Sequence, residues 1–519
     1  MEFHRVRFVK SLARAATFIS FLWFALPVCT YAQAGFDSWL AQINNRTKYG
    51  HCATEAAFEI ATERQKTGIS NIQVIFPTLQ DSITSPSGRF KVYFDLNGAN
   101  ATNPNYAAYV AHIADTTYLL EIDTLGYPKP PYAFSDSTWH IYLVAMNGGK
   151  YGFTAPAEDN SFGLSPTGLQ KYRAFITMDN SFSASTYPTH GLDAARITVF
   201  HEFHHIIQFG DYGYGQLTHD VNFREMTSVW MEMRSSPWIT DYQQYLPAYF
   251  AHLSQSFMLA DAQGYGQCIW MKFNATVFQD SIVKQFWTWY SNINANYLLA
   301  FDSVLAAYNS SFCEQYRSFG AGLLNLRTIY FDSPDLPVGK YSLDSLKVYP
   351  VSADTSMIMD PASLILLLHY PPPNSGKAFV IARNTDFSVI PTLNVHYNNA
   401  YSWTSDHTEA YCGGALDLPS TNVSVYPQPF VYSPGLGASA NIYSSNSINK
   451  PISCILRIFD LNNSLIRHIE TPPNAYGGNW FVSWDGLDDV GSGVPSGIYY
   501  YDLLTDGVKT QGKIAVIRK

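Results

Sequence analysis

Between Arg196 and Phe209 the chain reads Arg-Ile-Thr-Val-Phe-His-Glu-Phe-His-His-Ile-Ile-Gln-Phe, with no glycine or proline. Such a stretch is expected to be helical throughout. Val199, Phe200, Phe203, Ile206 and Ile207 leave it little polar surface, so the helix belongs inside the fold. His201 and His205 are four residues apart and share one helix face, where both imidazoles can aim a nitrogen at one cation. For zinc the distance would be about 2.0 to 2.1 Å. Glu202 is rotated by roughly 100° from His201, which sets it beside the metal, in reach of a water proton. His204 is read as a supporting or packing residue, because a 201/204 ligand pair would lose the standard spacing to Glu202.

This pattern points to hydrolysis. Zinc lowers the pKa of a bound water toward about 7 and polarises a carbonyl, while the neighbouring carboxylate moves the proton to the leaving amine. A third protein ligand is required, and two patterns compete for it. In one, the motif continues x-x-Gly-x-x-His or Asp; here Gln208 stands in the glycine position and Asp211 in the ligand position. Without the glycine turn, Asp211 is the alternative metal ligand. In the other, the gluzincin pattern, a glutamate follows on the next helix, and Arg224-Glu225-Met226-Thr227-Ser228-Val229-Trp230-Met231-Glu232 fits it. Glu225 is therefore the expected third ligand. Glu232, two turns further on, is a candidate to orient a histidine from behind, or to form an ordinary ion pair. Tyr265 is a candidate oxyanion donor, against a packing role among 36 tyrosines, and His190 and His219 are weaker candidates.

The start of the chain reads as a secretory signal over 1–34. Arg5, Arg7, Lys10 and Arg14 form a basic start, an apolar run follows from Phe18 to Cys29, and Ala32-Gln33-Ala34 offers a small-residue cleavage site. The apolar run is shorter than the roughly 20 residues a bilayer span needs. Acidic residues outnumber basic ones, 41 to 32, and cleavage would remove four basic residues and one acidic one. A surface of that sign repels nucleic acid. Cys52, Cys268, Cys313, Cys412 and Cys454 would remain, too few and too scattered for a disulfide scaffold, with room for one bridge.

With 519 residues the chain exceeds one core and suggests about three domains. Residues 35–84 form an N-terminal segment with a helical stretch over Cys52–Thr67 and a strand over Ile72–Phe76, a candidate pro-region. Residues 85–328 are read as the catalytic domain. It has strands over Arg89–Phe94, Trp139–Val144 and Ala174–Met178, a helix over Tyr106–Leu125, the motif helix, and then a helical subdomain. From Ile329 the apolar period switches to two, which predicts a β-sandwich over 329–424, with strands over Ser363–Leu368 and Ala378–Ile381, and a second, smaller one over 425–519. The fold class expected is α+β followed by two all-β sandwiches.

Two stretches carry family resemblances. From Cys52 to Phe286 the sequence resembles secreted bacterial metalloproteases of gluzincin type, through His51-Cys52-Ala53-Thr54, Ser85-Pro86-Ser87-Gly88-Arg89-Phe90, Leu125-Gly126-Tyr127, the His201–His205 motif and Glu225–Glu232. Met226 departs from the small residues usual after the ligand glutamate. From Val425 to Lys519, Tyr426-Pro427-Gln428-Pro429-Phe430, Trp484-Asp485-Gly486 and Val494-Pro495-Ser496-Gly497-Ile498-Tyr499-Tyr500-Tyr501 resemble immunoglobulin-like modules of flagellar-hook-capping type, related to type IX secretion sorting tails. The resemblances imply a zincin-like fold and one zinc per chain. They also imply a peptide or protein substrate, a secreted or surface location without stable membrane insertion, and a C-terminal module that either engages secretion machinery or serves as a stalk. The competing expectation is a surface binding or adhesion protein whose zinc site is structural or inactive. Two smaller expectations complete the reading: calcium in the loop Asp485–Asp489, and Cys52 as a thiolate cap on the zinc of a latent precursor.

Overall fold

The structure, a computed structural model, describes residues 36–43, 45–46, 51–66, 76–146, 148–157, 161–215, 220–258, 264–328, 346–351, 353–360, 362–369, 377–383, 392–396, 400–403, 411–417, 423–426, 429–432, 439–444, 454–461, 464–476, 479–505 and 508–518. The expected signal, His219, and the expected strand over Ile72–Phe76 except its last residue lie outside them. The chain divides into two compact units, residues 1–252 with 256–315, and residues 253–255 with 316–519.

The first unit is mixed α/β. Its sheet comprises β1 (Asp81–Thr84), β2 (Phe90–Phe94), β3 (Trp139–Val144), β4 (Gly152–Pro156) and β7 (Ala174–Asp179), in the order β1-β2-β3-β7-β4. A short hairpin of β5 (Gly163–Leu164) and β6 (Gln170–Lys171) lies between β4 and β7 in the chain. β2, β3 and β7 run parallel, while β1 and β4 pair antiparallel at the two edges. Every residue of β3, β4 and β7 is buried, as expected for strands covered on both faces.

One face of this sheet lies on the helices. The motif stretch forms α4 (Gly191–Ile207), which packs against β4 and β7 and against α3 (Pro104–Tyr118) and α5 (Asp220–Ser235). Phe203 of α4 meets Trp139 and Phe90 edge-on, with ring centroids 5.4 and 5.3 Å apart. The other face is covered by the N-terminal segment: a helix α1 over residues 36–43 and α2 (Thr54–Lys66). Phe36, Trp39, Ile43, Ala56, Ala57 and Ile60 form one apolar cluster with Tyr142, Val144, Phe153, Ala155 and Phe175. The described residues 36–43 and 53–60 thus supply a layer of the fold. Helices α6 (Leu246–Ala251), α7 (Cys268–Phe278), α8 (Ser281–Asn292) and α9 (Tyr297–Ala306) complete the unit, with Phe223, Trp287, Tyr297 and Phe301 as an aromatic core.

In the second unit, α10 begins in the first and runs over Phe312–Thr328. Strands Leu364–His369, Lys377–Arg383 and Tyr411–Asp417 pair antiparallel, with Tyr349–Val351 parallel at the edge. A second sheet joins Thr355–Ile358, Thr392–His396 and Ala400–Trp403. Ile365, Leu367 and Ile381 of one sheet and Leu393 and Val395 of the other share a single core. Beyond Val423 two further sheets enclose Trp484, Phe430, Ile442, Leu456 and Tyr501. The Trp484 indole N–H donates to the Leu487 carbonyl at 2.9 Å, so the ring fills the core without an orphaned donor.

Cys313 and Cys412 are disulfide-bonded; Cys52, Cys268 and Cys454 are buried and in the thiol form. Among the described residues no helix is long and apolar enough to cross a membrane.

Candidate metal centre

His201 and His205 leave the same face of α4, and their Nε2 atoms lie 3.1 Å apart. α5 brings Glu225 against both: its carboxylate oxygens stand 3.1 Å from His201 Nε2 and 3.6 Å from His205 Nε2. The Cys52 sulfur, just ahead of α2, is 3.5 Å from His205 Nε2. These four buried residues place one ligand atom each within 4.8 Å of the others. Bonds of about 2.0 to 2.3 Å to a tetrahedral zinc would set ligand atoms roughly 3.3 to 3.7 Å apart. The observed spacings surround that range.

The far side of each imidazole is held. His201 Nδ1 lies 2.6 Å from Glu232 Oε1, and His205 Nδ1 lies 2.7 Å from Gln208 Oε1. The Gln208 amide is itself oriented, because its NH2 group donates to the Arg224 carbonyl and to the Thr227 and Ser228 hydroxyls. An acceptor at each Nδ1 fixes the proton there, which leaves both Nε2 atoms as lone pairs aimed at each other and at a carboxylate. Glu225 Oε2 accepts no hydrogen bond despite its burial. Lone pairs packed in this way require positive charge between them.

The electrostatics favour positive charge at the same point, which a proton on the imidazoles supplies until a metal displaces it. Burial by itself would lower His205, but the charges of Cys52 and Glu225 more than offset it and hold the imidazole up to about 10. Burial by itself would raise Glu225, yet His205 and His201 hold it well below the usual carboxylate range. Burial pushes Glu232 up to about 7 in spite of His201. The donor set, two imidazoles, a carboxylate and a sulfur, suits zinc better than a hard cation such as calcium or magnesium.

Glu202, next along α4, points to β4. The Thr154 hydroxyl bridges its backbone carbonyl at 2.9 Å and its carboxylate at 2.8 Å, and the Thr54 hydroxyl donates to the same carboxylate oxygen at 3.1 Å. β4 can approach this closely because residue 152 is glycine: a Cβ there would lie 2.8 Å from the Thr177 carbonyl and 3.1 Å from the Thr198 methyl. Tyr265 stacks over Tyr245, and its hydroxyl accepts the Cys52 backbone N–H at 3.1 Å. Gly264 brings it there, at φ +71° and with no room for a Cβ against Asn222.

Asp211 lies outside the four-residue cluster. After Ile207 the chain does not turn but continues as a π-helical turn, Gln208–Tyr212, so Gln208 supports His205 and Asp211 is carried past the metal position. His204 points to another face of α4, where its Nδ1 lies 2.7 Å from Glu121 Oε2, both side chains fully buried. His190 precedes the first turn of α4.

Sequence reasoning gave no supporting role to Gln208, Thr54, Thr154, Glu121 or the buried pair of Glu55 and Arg224, whose Oε1 and Nε are 2.6 Å apart. Only Gln208 carried a local signal, its position three residues after His205 on a continuing helix. The others come from distant segments.

No protein-family profile matches the chain, and no curated protein sequence does. Among solved structures, dimeric latent PorU from Porphyromonas gingivalis aligns at 14% identity over 29% of this chain and 13% of its own, with a TM-score of 0.17. PorZ, an essential surface component of the type IX secretion system of the same organism, aligns at 15% over 30% of this chain and 23% of its own, with a TM-score of 0.15. The matched part is thus under a quarter of either chain, and such TM-scores are far below what a shared fold requires.

Proposed function

We infer that the chain is a secreted zinc-dependent peptidase with a zincin-like catalytic domain of gluzincin type. The observation that carries this reading is the convergence of His201, His205 and Glu225 on one point, with Glu232 behind His201 and Glu202 one residue along the helix. His201, His205 and Glu225 would hold the zinc. Bound there, it would supply Lewis acidity, acidifying water and polarising a carbonyl. Glu202 takes the water proton and returns it to the leaving amine. The Thr154 hydroxyl holds that carboxylate in place through a hydrogen bond of 2.8 Å. Tyr265, whose ring stacks 6.3 Å from that of His201, would donate to the developing oxyanion. The edge of β4, along which His51–Thr54 lies in this fold, offers backbone groups to which an extended peptide could add as a strand in its place, which favours a polypeptide substrate.

Glu202→Gln tests the reading. Zinc content should survive, while the peptide-library cleavage shown by the active form of the chain falls by about 10²- to 10⁴-fold, the usual weight of a general base. Equal cleavage by the variant would end it.

One observation favours a second reading, a surface binding or adhesion protein with a structural zinc. Cys52 brings the cluster to four protein atoms, the number typical of closed structural sites. A Cys52→Ala protein that binds zinc and still cleaves nothing would favour that reading.

The C-terminal module supports export to the surface, as a sorting tail or a stalk, through its likeness to type IX sorting modules over Val425–Lys519. Deleting it should leave the protein in the periplasm if it is a sorting tail, and leave export unchanged if it is a stalk.

A further inference from the structure

Three groups must be free for the chemistry described above: the fourth position at the metal, the Glu202 carboxylate and the Tyr265 hydroxyl. One stretch of three residues engages all of them. The Cys52 sulfur completes the ligand cluster, 3.5 Å from His205 Nε2. The Cys52 backbone N–H donates to the Tyr265 hydroxyl at 3.1 Å. The Thr54 hydroxyl donates to Glu202 Oε2 at 3.1 Å.

The same stretch also covers the substrate edge of the sheet. Tyr151 N–H donates to the His51 carbonyl at 2.7 Å, Ala53 N–H to the Gly152 carbonyl at 2.9 Å, and Thr154 N–H to the Thr54 hydroxyl at 2.8 Å. Cys52 and Gly152 form a parallel bridge. His51–Thr54 therefore lies along β4 as an added strand would, with a sulfur where the scissile carbonyl would approach the metal. Its hold is firm, because Glu55, the next residue, is buried against Arg224 of α5.

We propose that Cys52 is the fourth ligand of the metal and that His51–Thr54 is a built-in plug, so that this fold is the latent form of the enzyme. The proposal rests on the peptidase reading and adds its regulation. Opening breaks the sulfur–metal bond with the electron pair left on sulfur, which takes up a proton from solvent, and the vacated position becomes open to solvent. Thr54 and the Cys52 N–H leave with the plug, freeing Glu202 and Tyr265 together. Opening would lift Ala53 from the apolar cluster and unwind Thr54 from the first turn of α2, while Ala56, Ala57 and Ile60 keep the rest of the helix on the sheet.

The test uses the full-length chain with cobalt(II) in place of zinc. Wild-type protein should bind one cobalt and show the intense near-ultraviolet absorption of a thiolate bound to cobalt, with little peptide cleavage. Cys52→Ala should still bind one cobalt, lose that absorption and, in its zinc form, cleave at least tenfold faster than wild type. Cys52→Ser, closer in size, serves if the alanine variant does not fold, and the wild-type spectrum needs no variant. One bound cobalt without thiolate absorption overturns the plug while leaving the peptidase reading intact. Loss of the absorption with no gain in cleavage overturns latency. A wild-type chain that takes up neither metal overturns the peptidase reading itself.

Discussion

Glu232 Oε1 and His201 Nδ1 are 2.6 Å apart, while Glu225 stands at the other nitrogen of the same ring. Seven residues separate the two glutamates, about two helical turns, so a single face of α5 grips His201 from both sides. In the zinc reading one carboxylate would be a ligand and the other would orient a ligand. Their division of labour follows from which nitrogen each meets.

Removing the orienting carboxylate therefore weakens the metal without abolishing it. Glu232→Ala should lower zinc affinity by about 10- to 100-fold, the usual effect of losing a carboxylate behind a ligand histidine. Competition with a chromogenic chelator measures it. Unchanged affinity would assign Glu232 to an ordinary ion pair.

Arg224 and Glu55 are both at most 3% exposed, and their 2.6 Å pair ties α2 to α5. Glu55→Ala leaves a buried guanidinium uncompensated, which costs about 3 to 5 kcal/mol. Urea unfolding of the variant should show it, and Glu55→Gln, which keeps a hydrogen-bond acceptor, should lose less. A change near zero would mean that the pair holds nothing in place.

Asp211 separates the two ligand patterns and carries a pH dependence. Burial pushes its carboxyl up from 3.8 to about 6, so the ionised form is disfavoured in the folded state. The stability it contributes is full below about pH 4 and is lost as pH rises through about 6. Asp211→Asn should match wild type near pH 4 and exceed it by about 1 to 2 kcal/mol at pH 7.5, after discounting for partial solvent access. Zinc content should not change. Loss of zinc in this variant would restore Asp211 as a ligand.

Chelation should soften the first unit. Four buried groups converge where the metal belongs, and binding to the folded state alone stabilises it by mass action. Dialysis against a strong chelator should lower the melting temperature by several degrees, and one equivalent of zinc should restore it. An identical melting curve would count against a metal in the folded protein.

What the sequence made legible was local. The spacing of His201, Glu202 and His205 on an uninterrupted apolar helix, and the register of Glu225 and Glu232, depend only on helical period, and α4 and α5 follow it. Trp139–Val144 was equally clear, a run of large apolar residues bounded by turns. The strand β4 escaped, because Gly152-Phe153-Thr154-Ala155-Pro156 has glycine and proline at its ends and no alternation, being buried on both faces. With β4 went Thr154 and the edge that Cys52 occupies. The role of residues 36–43 and 53–60 as a layer of the sheet domain was hidden for a related reason: their partners, Tyr142, Phe153 and Phe175, are about a hundred residues away. Contacts of that range leave no periodic trace.

The most direct measurement is zinc per chain, by elemental analysis after exhaustive dialysis, in wild-type protein and in Glu202→Gln, Glu225→Ala and His205→Ala. One equivalent in the wild type and in Glu202→Gln, with under a tenth of that in Glu225→Ala and His205→Ala, is the result predicted. No zinc in the wild type, or the same zinc in all four proteins, would contradict a metal centre built from these residues.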